Sequence, residues 1–202
     1  MKRITLALTG ASGMAYGIRL LECLLRAGCQ VDLLLSQAAR IVAKQELDLQ
    51  LPSGNAELAT YFDLRFAGHS GKLAAYGKEE WFAPAASGSN PADAMVVCPC
   101  TMGSLAAIAH GLADNLIERA ADVILKEKRP LILVARETPF SLIHLRNMTA
   151  LVEAGATILP ANPGFYHRPQ NVDQVIDFIV ARVLDQLGIA HDLIPRWGGP
   201  AS

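Results

Sequence analysis

Short apolar runs alternate along this chain with longer stretches in which apolar residues recur every three or four positions. Ile4 to Leu8, Gln30 to Leu35, Ala94 to Val97, Pro130 to Ala135 and Thr157 to Leu159 are of the first kind and predict strands. Helical patterns follow them. One carries Ile18, Leu20, Leu21, Leu24 and Leu25, and another, about Gln37 to Leu47, turns Ala38, Ile41 and Val42 inward. Further helices are expected over Leu105 to His110, Leu116 to Lys128 with Asp114 as N-cap, and Phe140 to Glu153. The last, about Asn171 to Leu187, lines Val172, Val175, Ile176, Ile179 and Val183 along one face.

Strands that are apolar on both faces, each followed by a helix, predict an α/β domain. The expected architecture is doubly wound, Rossmann- or flavodoxin-like, with a mainly parallel sheet and helices on both sides. Leu51 to Asn90 is the least regular stretch. Pro52-Ser53-Gly54 opens a loop, Ala56 to Phe62 has a helical pattern, and Gly68 to Gly77 is rich in turn formers. Trp81 then precedes a Pro/Ala/Ser/Gly-rich segment, Ala83 to Ser89, with the character of a loop lying over a site.

At 202 residues, 51% hydrophobic and 6% aromatic, the chain fits one domain over residues 1–202, with a C-terminal tail from about residue 188 in which Trp197 is a docking aromatic. A formal net charge of -1 gives no electrostatic case for nucleic acid or an anionic membrane. Met1-Lys2-Arg3 with the short run after it reads as a first strand rather than a signal peptide, and no run has the length of a membrane span. A mean hydropathy of +0.27 then points to surface hidden in an oligomer. Cys23, Cys29, Cys98 and Cys100 form no zinc spacing and read as free thiols of a cytoplasmic protein.

The candidate chemistry gathers at strand ends. Thr9 to Gly17 is a small-residue turn between a strand and a helix, where backbone N–H groups favour a phosphate or a polar cofactor edge, although the spacing is not that of a dinucleotide fingerprint. Ser36 ends the second strand at a helix N-cap. Cys98-Pro99-Cys100-Thr101-Met102-Gly103-Ser104 and Arg136-Glu137-Thr138-Pro139 follow two further strands. Arginine can clamp a phosphate, and an adjacent glutamate can move a proton. The loop Pro160 to Pro169 is stiff enough to hold Tyr166 outward. Arg182 edges an apolar helix face and wants an anion, either Asp185 or a ligand phosphate. Arg119 and Lys126 share one side of a helix, where a solvated face is the plain alternative, as it is for Glu46.

These residues, with Asn115-Leu116-Ile117-Glu118-Arg119-Ala120-Ala121-Asp122, Lys126-Glu127-Lys128-Arg129-Pro130-Leu131 and Gly164-Phe165-Tyr166-His167-Arg168-Pro169, fall in an order that resembles the flavin prenyltransferases of the UbiX type over nearly the whole chain. The resemblance implies a metal-independent enzyme. It transfers the dimethylallyl group of dimethylallyl phosphate to N5 and C6 of reduced FMN, and the prenylated FMN serves a UbiD-type decarboxylase, with quinone biosynthesis as the usual setting. It also implies a homododecamer with sites formed between subunits.

By matching positions, the resemblance implies that Gly10, Ala11, Ser12, Ser36, Thr101, Met102, Gly103, Ser104 and Arg136 bind FMN, with Ser12 close to N5. Tyr166, Arg182 and Lys126 become ligands of dimethylallyl phosphate. Ser12, Glu46, Trp81, Lys126 and Glu137 become the catalytic set. Two other readings are an FMN-dependent cysteine or aromatic-acid decarboxylase and a non-catalytic flavin module such as an electron carrier. The cysteine decarboxylases carry Pro-Ala-Ser-Ala-Asn-Thr where this chain has Pro99-Cys100-Thr101-Met102-Gly103-Ser104, and here only His69 can stand for their histidine.

Overall fold

A computed structural model describes residues 1–195, so the expectation for Trp197 lies outside the described residues. The strands are β1 (Arg3–Leu8), β2 (Gln30–Leu35), β3 (Lys72–Tyr76), β4 (Ala94–Cys100), β5 (Leu131–Ala135) and β6 (Thr157–Ile158). The helices are α1 (Met14–Arg26), α2 (Gln37–Leu47), α3 (Asn55–Arg65), α4 (Met102–Ala109), α5 (Leu116–Lys126), α6 (Leu142–Glu153) and α7 (Val172–Leu187), with a 3-10 turn at Pro84–Ala86.

The strands pair in parallel in the order β3-β2-β1-β4-β5-β6. This is the doubly wound order of dinucleotide-binding folds rather than the flavodoxin order, and its direction reverses between β1 and β4. Side chains alternate along each strand. Ile4, Leu6, Leu8, Val31, Leu33, Val96 and Ile132 pack beneath α1, α2, α3 and α7. Ala7, Leu34, Met95, Val97, Leu131 and Leu133 pack beneath α4, α5 and α6. Burial on both faces is why these strands read as unbroken apolar runs.

Four expectations change. The strand β3 lies in the stretch read only as turn formers, and Ala94 begins the fourth strand rather than the third. On α2, Ala39 and Ala43 are buried while Ala38 and Ile41 are exposed, because the helix meets its neighbours through a small-residue stripe four apart. The N-cap of α5 is Asn115, not Asp114, because the Asn115 side chain reaches the N–H groups of Ile117 and Glu118, at 3.0 and 3.2 Å. Val172 on α7 is exposed, and the buried face begins only at Ile179.

One buried charge went unforeseen. Asp32, inside the apolar run of β2, is fully buried and paired with Arg3 at 2.7 Å. Burial raises its pKa, and the Arg3 hydrogen bond and charge offset part of that rise.

Candidate active site

The predicted site residues other than Glu46, Lys126 and Arg182 follow the strands at the carboxyl edge of the sheet, and the turn after β1 stands at the reversal point. Two contacts fix this turn. Gly17, in the first turns of α1, brings the helix onto the sheet so closely that a Cβ would stand 2.3 Å from the Cys98 carbonyl oxygen. This is the helix–strand approach that the last glycine of a dinucleotide fingerprint permits, reached here with different spacing. Thr9, fully buried, clasps the ends of β1 and β4. Its hydroxyl donates to Pro99 O at 2.7 Å and accepts from Thr101 N at 2.9 Å. Sequence reasoning gave Thr9 no role of its own; the only signal was a hydroxyl residue directly after an apolar strand.

Beyond Thr9, Gly10, Ala11 and Ser12 run over the edge, and Gly13 caps α1 in the left-handed region with φ 100. Glu46 reaches across from the last turn of α2. Its carboxylate accepts Gly13 N at 3.0 Å and Met14 N at 2.9 Å. Burial alone would raise the Glu46 pKa. Hydrogen bonds from Ser12, Met14 and Gly13 and the charge of Arg136 outweigh it and hold the carboxyl below the usual range. Ser12, Glu46 and Arg136, distant in sequence, thus form one cluster. Glu46 is no solvated surface charge.

The other edge residues are placed by helix caps. Ser36 caps α2, accepting Ala39 N at 3.1 Å. Thr101 caps α4, accepting Ser104 N at 3.1 Å and donating to the Ser104 hydroxyl at 3.0 Å, so Met102, Gly103 and Ser104 form the first helical turn, three residues before the expected start. Arg136 follows β5, its backbone N bonded to Cys100 O. Its Nε is buried without a hydrogen-bond partner. A buried cationic donor lacking an acceptor is costly unless a ligand supplies one. The orphaned Nε beside a glycine–alanine–serine edge fits an anionic flavin nucleotide. Glu137, next along, accepts Thr138 N at 3.1 Å.

Trp81 is half exposed on the turn after β3, and that turn is tied to α5 by Leu116 N bonding Lys78 O at 2.7 Å. Tyr166 is 84% exposed on the loop before α7, which is braced by His167 stacking on Phe178 at 5.6 Å. Two predicted phosphate ligands lie elsewhere. Lys126 ends α5 near the amino edge, beside Gly88, and pairs with Glu127 at 2.6 Å. Arg182 pairs with Asp185 at 2.6 Å, far down α7, whose last residue is bonded through its carbonyl to Lys2 at the amino edge. Its distance along the helix from the carboxyl edge is roughly 15 Å at 1.5 Å per residue. One chain does not bring these two cations to its own cluster.

All four cysteines are free, Cys23 half-buried and the rest buried. Burial pushes Cys23 up to about 11 and Cys100 up to about 12, so neither is a nucleophile near neutral pH. Among the described residues no group of His, Cys, Asp and Glu is arranged to hold a metal, and no helix is long and apolar enough to cross a membrane.

The Flavoprotein family model matches residues 1–184. The flavin prenyltransferase UbiX of Pseudomonas aeruginosa is 52% identical over 197 residues, covering 98% of this chain and 94% of the relative. The chain belongs to the flavin prenyltransferase family. Solved members share the fold closely. A crystal structure of AnUbiX in complex with FMN and dimethylallyl pyrophosphate superposes with TM-score 0.87 at 40% identity, covering 99% of both chains. A dodecameric FMN-dependent UbiX-like decarboxylase from Escherichia coli superposes with TM-score 0.84 at 38% identity, covering 98% of this chain and all of that one. Full-length membership in this family, with the sheet order, sets aside the cysteine-decarboxylase and flavodoxin readings.

Proposed function

We propose that the chain binds reduced FMN at the cluster of Ser12, Glu46 and Arg136 and joins to it the dimethylallyl group of dimethylallyl phosphate. The observation that carries this reading is the orphaned, buried Nε of Arg136 at the reversal point of the sheet, in a chain of this family. Reduced FMN supplies the electron-rich N5 and C6 to which the five-carbon group is joined. Gly10, Ala11, Ser36 and the turn Thr101 to Ser104 hold its body and phosphate by backbone and hydroxyl contacts, and Ser12 faces N5.

The allylic C–O bond breaks as phosphate departs, so the site must stabilise an anion and a delocalised cation at once. Arg136, with Lys126 and Arg182 brought from neighbouring copies, takes up the phosphate charge as a divalent cation does in other allyl transfers. Tyr166 closes over the phosphate. Glu137 delivers a proton to it, which makes departure easier. Trp81 turns its π face to the allyl cation.

Neighbouring copies enter because Lys126 and Arg182 are remote from the cluster of their own chain. Leu142, Ile143, Leu145 and Val152 leave α6 with an apolar outer face that a second copy would cover, in keeping with a dodecamer. The four free thiols support a reducing, cytoplasmic setting, and the prenylated FMN is handed to a UbiD-type decarboxylase.

Anaerobic incubation with reduced FMN and dimethylallyl phosphate, followed by a phosphate assay, tests the reaction. Phosphate release that needs both substrates and survives a chelator is expected. Dimethylallyl phosphate left intact with FMN bound would overturn it.

A further inference from the structure

Arg182 stands at the end of a row of three linked side chains. Its Nη1 donates to Asp185 Oδ2 at 2.6 Å, and the other oxygen of that carboxylate, Oδ1, lies 3.2 Å from His191 Nε2. The imidazole is fixed in turn, because Leu193 N donates to His191 Nδ1 at 3.4 Å. A ring nitrogen that accepts carries no hydrogen, so in the neutral ring the hydrogen sits on Nε2 and is donated to Asp185. The carboxylate is thus held from both sides, by one oxygen each.

His191 takes its place from the turn that ends α7. Gly188 adopts the left-handed conformation with φ 61, Ile189 N bonds Leu184 O at 3.0 Å, and Ile189 and Leu193 pack on the core. The His191 side chain is only 7% exposed, whereas that of Arg182 is half exposed. A buried, braced ring stands at one end of the row and a solvent-facing guanidinium at the other.

An isolated pair three residues apart on a helix is weak, and its long cation samples many rotamers. Here the acid cannot swing with the cation, because His191 keeps it in place. We propose that Asp185 and His191 are positioning residues for allyl transfer. They hold Arg182 in one extended pose and leave most of its five N–H donors for the phosphate of dimethylallyl phosphate. This rests on the proposed reading in which Arg182 binds that phosphate. Ordering the guanidinium beforehand removes a cost that donor binding would otherwise carry. The effect therefore falls on the KM for dimethylallyl phosphate and spares the affinity for reduced FMN.

Anaerobic phosphate release at saturating reduced FMN, with dimethylallyl phosphate varied, tests the proposal beside a titration with reduced FMN. His191→Leu fills the space without a donor and is expected to raise that KM about fivefold, with reduced-FMN affinity unchanged. His191→Gln sets an amide N–H where the Nε2–H stood and returns KM towards the wild-type value. Asp185→Asn keeps the shape, loses the charge and raises KM by a similar factor, and it carries the test if His191→Leu folds poorly. Because His191 acts through Asp185, the double variant loses no more than the larger single variant.

An unchanged KM in both single variants, or a further rise in the double variant, overturns the proposal. A lower KM in Asp185→Asn also overturns it, since Asp185 would then compete with the phosphate for Arg182. So does reduced-FMN affinity lost in step with KM, which would make the row a prop of the fold alone. Wild-type protein that binds reduced FMN but releases no phosphate overturns the reading of Arg182 as a phosphate ligand, and the proposal with it.

Discussion

At the scale of single residues the site depends on groups that no local motif announces. Thr9 answers two backbone groups at once, so Thr9→Val, which keeps the shape and loses the hydroxyl, leaves Thr101 N without that partner, while Pro99 O keeps only the Thr9 backbone N–H at 3.2 Å. Buried unpaired groups cost about 1–3 kcal/mol. Thr9→Val is therefore expected to lower the urea midpoint and weaken FMN binding together, while a fall in stability with FMN affinity unchanged would separate the clasp from the site.

Glu46 gives a pH signature. Its folded pKa is depressed below the ordinary 4.5, so the stability it contributes is present above the unfolded value and is lost as pH falls through the folded one. The difference in melting temperature between wild type and Glu46→Gln should be large near pH 6 and shrink steadily below about pH 4.5. A difference that grows on acidification would contradict the ionised, hydrogen-bonded carboxylate.

At the scale of elements, much was legible. The runs Ile4 to Leu8, Gln30 to Leu35 and Pro130 to Ala135 are apolar because both faces of each strand are covered, and that signal survives in a single sequence. Lys72–Tyr76 was missed because it is an edge strand of Lys, Leu, Ala, Ala and Tyr, without a β-branched residue, set among glycines. The inward face of α2 was misread because helical periodicity assumes that large apolar residues point in, whereas here two alanines do and Ile41 faces out.

The site was legible as strand ends, and the resemblance assigned its residues. The bond from Glu46 back to α1 was not readable, since it spans 33 positions and depends on where α2 lies in the folded sheet. Gly17 tests the packing that sets this geometry. A Cβ would stand 2.3 Å from Cys98 O and 2.5 Å from Leu8 Cδ2, so Gly17→Ala must push α1 off the sheet. An overpacking cost of about 1–3 kcal/mol is expected by denaturant unfolding, with weakened FMN binding because Gly13 and Ser12 move with the helix. Gly17→Ala of wild-type stability would contradict this packing.

At the scale of the whole molecule, one chain holds the cluster of Ser12, Glu46 and Arg136 while Lys126 and Arg182 stand far from it, each paired with a local acid. If the phosphate cations come from neighbouring copies, an inactive Ser12→Ala protein and an inactive Arg182→Ala protein restore activity when unfolded and refolded together. Mixed assemblies then contain sites with an intact Ser12 from one chain and an intact Arg182 from another. No recovery, with mixed assemblies verified by mass, would place both residues in the site of the same chain. Exposed Leu142, Ile143 and Val152 on α6 make such assemblies the expected state, since a free chain would leave that face in water.

An allyl group joined to the flavin changes the mass of the flavin. Protein, reduced FMN and dimethylallyl phosphate are combined without oxygen, the protein is denatured, and the released flavin is weighed by mass spectrometry. FMN heavier by one five-carbon isoprenyl unit is expected from the complete mixture, and unmodified FMN when dimethylallyl phosphate is left out. Unmodified FMN from the complete mixture, with the flavin shown to be bound and reduced, would contradict it.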